Sequence, residues 1–433
     1  MYLAEIFTDH MVLQRDKDIC VFGYGKGSGE IEFCGKTYTF TSTTEKFYVY
    51  LAPQSVGGPY EMMVTLNGST RVIKDILIGD VYIAAGQSNM ELPLCATHNI
   101  EYFENENIRF FTEPHTADED GNLLYKPTEW FLCDKSVGDF SAIGYYFAVG
   151  LQKSTNVPIG VICCSKGASR VDAWTASQYV QHEDYQKMQS VKHNDYYVYK
   201  FNHDSWLYNN KLLSIVPFAN SGVLWYQGES NRCHDEGVHY AKLLEIMIKN
   251  WRELWQCNLP FYCVQLMPYD EAPDVADWAV IRSQQQLAAQ TVDNVYLVTL
   301  VNTGEKNEIH PTKKKDIAYA LSNAVRAVQH NESVEYSGPV LQTYKHIKNG
   351  VELVFSHAEG LHLKGNELQD TYVYDEEDRL LQVDFLLEKS SLIIICKCGV
   401  APKTITMGYN NAPEHNLYNN SGYLASPFKL MLN

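Results

Sequence analysis

Between about residue 77 and residue 330 the chain alternates short, unbroken apolar runs with longer helical stretches, and this alternation restricts the possible folds severely. The runs are Val81-Tyr82-Ile83-Ala84-Ala85, Ile159 to Cys164, Gly222 to Tyr226, Phe261 to Leu266 and Val295 to Leu300. Helices are predicted over 142–153, 239–251, 278–290 and 313–328. Apolar runs of this length suit strands covered on both faces, and strand–helix alternation implies a parallel sheet sheathed by helices. In open sheets of that kind the functional site gathers beyond the C-terminal strand ends.

The flanks have a different texture. Residues 1–76 carry short β runs such as Ile19 to Tyr24 and Phe47 to Leu51, separated by Gly27-Ser28-Gly29 and Gly57-Gly58-Pro59. The chain from 331 returns to β texture, as in Val351 to Phe355 and Ser391 to Ile395. The expected division is therefore 1–76 (β), 77–330 (α/β) and 331–433 (β), with sandwich-like flanks. A formal net charge of −17 argues against a nucleic-acid partner, which needs clustered Lys and Arg. No run approaches the roughly 18 apolar residues of a spanning helix, so no membrane partner is expected. The start, Met1 to Ile6, lacks the basic and apolar regions of a signal peptide. Eleven cysteines without framework spacing suit reduced thiols, so a cytoplasmic protein is expected. Cys396-Lys397-Cys398 reads as alternate positions of a strand rather than a metal site, there being no second Cys/His pair nearby.

Four segments, each following one of these strands or opening a helix, carry residues with chemical potential. Gly86-Gln87-Ser88-Asn89-Met90 puts a serine at a strand-to-helix turn, where its hydroxyl can project above the sheet and its N–H toward a developing oxyanion. A serine there is also an ordinary helix N-cap. Ser165-Lys166-Gly167-Ala168-Ser169 offers a backbone N–H at a glycine, equally readable as a plain turn. Trp225-Tyr226-Gln227-Gly228-Glu229-Ser230-Asn231 supplies an amide and a carboxylate. Asn307-Glu308-Ile309-His310-Pro311 holds a histidine in extended backbone before proline, and a base of this kind requires a carboxylate to fix its tautomer. Taken singly, His310 is as readily a structural histidine.

In this order the four segments resemble those of the SGNH hydrolases, and more closely the sialate O-acetylesterase family. Phe7 to Arg15, Gly57 to Met62, Val171-Asp172-Ala173-Trp174, the Trp278/Arg282/Gln285 helix and Asn416-Leu417-Tyr418-Asn419 also fit that family, so the likeness spans nearly the whole chain. It implies a flavodoxin-like, three-layer α/β domain between small β domains. It further implies Ser88 as nucleophile, His310 as base, and an oxyanion hole from the N–H groups of Ser88 and Gly167 with the Gln227 side chain. Gln87, Arg170, Trp174 and Arg282 become candidates for touching substrate, the arginines because sialic acid is an anion. No metal or organic cofactor is implied.

The chain departs from the family at the acid. Glu308 stands where Asp-Ile-His-Pro is usual, and Asn302 where an acid is common. Glu308 is the preferred orienting partner for its closeness to His310, with Glu229 as the alternative. The implied reaction is release of acetate from an acetylated saccharide, with 9-O-acetyl sialic acid ahead of xylan- or xyloglucan-derived oligosaccharides. A non-catalytic carbohydrate-binding protein is the reading from a different class; the presence of Ser88, Gly167, Gln227 and His310 together argues against it.

Overall fold

The computed structural model describes residues 2–189, 198–203, 205–232, 234–270, 278–397 and 399–433. The chain is an α/β protein with a mixed sheet, and it divides into two compact units. The first comprises residues 1–186, 195–227 and 246–261; the second comprises 187–194, 228–245 and 262–433.

The first unit is organised by one strand, Ser69–Gly86. Its first half is mostly exposed, with Ile73 turned to the core, and pairs antiparallel with Gly57–Leu66. From Ile76 onward every residue is buried, and the strand lies parallel to Ile159–Ser165 on one side and Gly222–Tyr226 on the other. The change follows from sequence: Ile76 to Ala85 is almost wholly apolar, so this stretch is stable only with both faces covered. One strand thus runs unbroken through position 76. Asn105–Thr112 adds a further parallel strand beside 159–165, and Phe131–Cys133 closes that edge antiparallel. Helix Ala142–Thr155 packs on this sheet; Ser141 caps it by accepting from the Gly144 N–H at 3.1 Å, and Asn156 ends it in left-handed conformation.

The core is heavily aromatic. Trp174, Trp225 and Trp251 meet edge to face at 5.9–6.5 Å between centroids, and all three are essentially inaccessible.

Strands Phe261–Val264 and Val295–Val298 lie side by side, and the second unit, which takes over at Tyr262, carries helices Trp278–Thr291 and Lys314–Gln329. Both strands stop two residues short of the expected ends at 266 and 300. The cause is side-chain capture: Gln285 accepts the Leu266 N–H at 2.9 Å, and the Ser337 hydroxyl accepts the Thr299 N–H at 3.3 Å. The helices match their predicted positions to within a residue at their starts. The region beyond 331 is antiparallel β, with Val340–Ile347, Gly350–Ser356, Ser391–Cys396 and Val383–Glu388 in one sheet over a core including Leu353, Leu392, Ile394 and Phe428. Cys396 is a buried strand residue; Cys398 lies outside the described residues.

Candidate active site

Three parallel strands of the first unit end together. Gly86 is in register with Ser165 on one side and Tyr226 on the other. The segments carrying Ser88, Gly167 and Gln227 therefore leave adjacent strands at the same edge of the sheet, the edge where ligands bind in such folds. Gly86 makes this crowding possible. Its φ is 131°, and a Cβ there would lie 2.1 Å from the Tyr226 carbonyl oxygen, so no other residue fits without moving the neighbouring strand. The Gln87 N–H then donates to Tyr226 O at 3.0 Å, and the Lys166 N–H and Ser169 hydroxyl donate to Gly86 O at 3.1 and 3.2 Å.

Ser88 opens a single helical turn, Ser88–Glu91, and is partly exposed while Gln87 and Asn89 on either side are buried. Gly167 lies against it: a Cβ on Gly167 would stand 3.6 Å from Ser88 Cβ. The Gly167 N–H donates to Glu91 Oε2 at 2.5 Å, so this amide already holds a carboxylate oxygen. Gln227 is fully buried, and its Nε2 donates to Gln87 Oε1 and Ser169 O, each at 3.1 Å. The structure thus brings Gln87, Ser88, Gly167 and Gln227 together.

The other proposed substrate contacts are placed differently. Arg170 has no exposed surface and its Nη2 pairs with Asp172 Oδ2 at 2.7 Å, while Tyr185 donates to the other carboxylate oxygen at 2.9 Å. Trp174 is in the aromatic core, with its Nε1 donating to the Ser169 hydroxyl at 3.0 Å. Arg282, in the second unit, is equally buried and donates to the carbonyls of Met267, Asn410 and Asn411. A side chain without accessible surface reaches no ligand unless its surroundings move. In the state described these three are engaged within the protein.

One supporting residue was not foreseen. Asn202 is wholly buried; its Oδ1 accepts the Arg170 N–H and its Nδ2 donates to Ala168 O, both at 2.9 Å. It clasps the Gly167 loop across Ala168, whose left-handed φ of 59° costs about 1 kcal/mol for a residue with a Cβ. Asn202→Ala leaves a buried donor and acceptor unmatched, so a loss of about 2 kcal/mol is expected. Urea unfolding measures it; activity should fall with stability, because the loop carrying Gly167 loosens.

The second unit holds the remaining candidates. Glu229 starts a tight turn and is buried. Glu308 is exposed, and its Oε1 accepts the backbone N–H of His310 at 2.9 Å, which fixes the loop just ahead of Pro311. His310 is half-buried. Burial and the positive Lys314 lower its pKa from the ordinary 6.5, and Glu308 opposes them. Lys314, four residues beyond at the start of the helix, is almost completely buried, and desolvation brings its pKa down to about 7 against the attraction of Glu229 and Glu308. Its spacing four residues after the histidine was the available signal in the sequence.

Lys314 has a folded pKa below its unfolded value of 10.5, so above about pH 7 the unfolded chain binds more protons at this group. Stability from this group therefore rises as pH climbs from about 7 toward 10.5. Denaturation of wild type and Lys314→Met at pH 7 and pH 9.5 should show the wild type gaining on the variant; parallel behaviour would refute the shift. Among the described residues no cluster of metal-ligating side chains occurs, and no helix is long and apolar enough to cross a membrane.

A mixed α/β sheet with a serine, a backbone amide and a side-chain amide converging at its C-terminal edge has the layout of an acyl-transfer hydrolase. Comparison with known proteins narrows this. The family described as carbohydrate esterase, sialic acid-specific acetylesterase matches residues 78–326. Human sialate O-acetylesterase is 24% identical over 384 residues, covering 78% of this chain and 73% of that protein. The rat sialate O-acetylesterase is 24% identical over 409 residues, covering 78% and 75%. The crystal structure of a carbohydrate acetylesterase from Xanthomonas citri superposes with a TM-score of 0.88 at 27% identity, covering 99% of both chains. The chain is a carboxylic ester hydrolase of the carbohydrate O-acetylesterase class. It belongs to the sialic acid-specific acetylesterase family of carbohydrate esterases.

Proposed function

We propose that this chain removes O-acetyl groups from sialic acid, the 9-O-acetyl form foremost, through an acetyl-enzyme on Ser88. The family description and the names of the mammalian relatives support the sugar. The observation that carries the mechanism is the apposition of Ser88 to a Gly167 N–H that already binds a carboxylate oxygen. His310 takes the Ser88 Oγ proton as the oxygen attacks the acetyl carbonyl carbon. The oxyanion that forms accepts hydrogen bonds from the Ser88 and Gly167 N–H groups and the Gln227 amide, which exchanges its Gln87 partner for this purpose. Collapse expels the sugar oxygen, which takes the proton from His310. Water, deprotonated by His310, then attacks the acetyl carbon, and acetate leaves with Ser88 reprotonated. Glu308 is the orienting acid of this reading, for its closeness to His310, whose backbone N–H its Oε1 accepts at 2.9 Å, and for its field, which favours the charged imidazole.

With this reading goes an SGNH-type three-layer arrangement of residues 77–330 between small β domains, for which the run of parallel strands 105–112, 159–165, 69–86 and 222–226 speaks. A reducing compartment fits the nine described cysteines, all free; burial pushes the thiols of Cys20 and Cys163 up to about 11 and that of Cys133 to about 12, so these are unreactive.

The depressed pKa of His310 keeps the imidazole unprotonated, and so able to act as base, below its ordinary range. The acid limb of kcat/KM should therefore have its midpoint under pH 6.5. A midpoint above that value on a soluble acetyl ester would contradict the electrostatic account.

The substrate is tested by acetate release from 9-O-acetyl sialic acid and from an acetylated xylo-oligosaccharide. Faster turnover of the sialic acid supports the proposal; preference for the xylo-oligosaccharide keeps the mechanism and replaces the sugar.

A further inference from the structure

Glu91 occupies the donor that the reaction needs. Its Oε2 accepts the Gly167 N–H at 2.5 Å, which is short and charge-assisted. While it stays, the amide is engaged, and a full negative charge stands where a second must develop on the substrate. Like charges at that distance oppose one another strongly. Glu91 ends the single turn that Ser88 begins, and it is partly exposed.

On its other side Glu91 lines a cavity of about 400 Å³. Thr112 and Ser165, at the C-terminal ends of two parallel strands, also line it, so it opens at the same sheet edge as Ser88. Thr116, Lys126 and Thr128 bring hydroxyl and ammonium donors to its lining, Glu113 and Asp139 carboxylates, and Phe131 and Phe140 aromatic surface. Polar donors beside aromatic rings in a volume of this size suit a sugar ring more than an acetyl group alone. Another cavity, of about 610 Å³, is lined by none of the segments 86–91, 165–170 or 226–227.

We propose that Glu91 is a plug of the oxyanion hole that a sugar ring in the 400 Å³ cavity displaces. Hydroxyl donors of the bound ring give the carboxylate a new partner, it leaves Gly167, and the freed N–H receives the acetyl oxygen. The hole is then competent chiefly when a carbohydrate carries the ester, which makes Glu91 a specificity-determining residue. This rests on the assignment of Ser88 and Gly167 given above.

The test compares kcat/KM for p-nitrophenyl acetate, which has no sugar, with that for 9-O-acetyl sialic acid and an acetylated xylo-oligosaccharide. Wild type, Glu91→Ala and Glu91→Gln are measured, with melting temperature alongside. Removing the plug should raise kcat/KM on p-nitrophenyl acetate about tenfold and lower it on the preferred sugar ester about tenfold, a shift of about 1.4 kcal/mol in each direction. Glu91→Gln, neutral and of equal size, should move both values the same way by less, and it carries the test if the alanine variant does not fold. Equal losses on all esters, in an enzyme that turns over acetylated sugars, would show a mere brace for the Gly167 loop and overturn the plug. A gain on p-nitrophenyl acetate without wild-type turnover of either sugar would instead overturn the carbohydrate reading, and with it the sugar as the displacing ligand.

Discussion

Ser88→Ala is expected to lower kcat for acetate release by on the order of 10³- to 10⁶-fold, with KM and melting temperature nearly unchanged. The loss is large because the oxygen that forms the acetyl bond is gone. Stability is kept because the position is partly exposed and the exchange is small. The variant retains its own N–H and that of Gly167, so weak stabilisation of a water-attacked carbonyl remains. His310→Ala should cost a similar factor, and the double variant little more than either single one, because a base without its nucleophile has nothing to activate. Additive losses would show that the two residues act independently.

Glu308→Gln should lower kcat by about 10²- to 10⁴-fold while leaving the protein folded. Two physical effects combine here. The neutral amide no longer stabilises the imidazolium formed when His310 takes the serine proton. It also no longer offsets Lys314, which already lowers the pKa of His310. Glu229→Gln should behave in the opposite way. Glu229 and Lys314 are both buried, and neutralising the carboxylate leaves the lysine short of compensation. The expected effect is a stability loss of about 2 kcal/mol at pH 5.5, where Lys314 is charged, shrinking above pH 7 as the lysine gives up its proton, with kcat within about tenfold of wild type. If Glu229→Gln instead removed activity at full stability and Glu308→Gln were mild, the orienting role would pass to Glu229.

The sheet was legible because its strands are buried on both faces. Runs such as 81–85 and 159–164 admit few other readings, and the helices between them keep a clear period. Strand ends were less legible at 266 and 300, where side chains distant in sequence, Gln285 and Ser337, capture the next amide. Ser88, Gly167 and Gln227 could be selected because each directly follows a recognisable strand. Arg170 and Arg282 were chosen for chemistry that suits an anionic sugar and Trp174 for its place in a family-like segment, but residue type does not reveal burial; Asp172 and a set of backbone carbonyls hold the two arginines inside. Glu91, Asn202 and Lys314 were missed for a related reason. Each acts through a partner, respectively an amide 76 residues away, a loop 32 residues away and carboxylates from two segments, that the linear chain does not place beside it.

The most direct test of the central claim is to mix the enzyme with 9-O-acetyl sialic acid, quench in acid within the first turnovers, and map the peptides by mass spectrometry. An acetyl group on Ser88, absent from the Ser88→Ala protein and lost as acetate accumulates, is the predicted result. Acetate production with no acetyl group on Ser88 at any quench time, or with the group on another residue, would contradict the account.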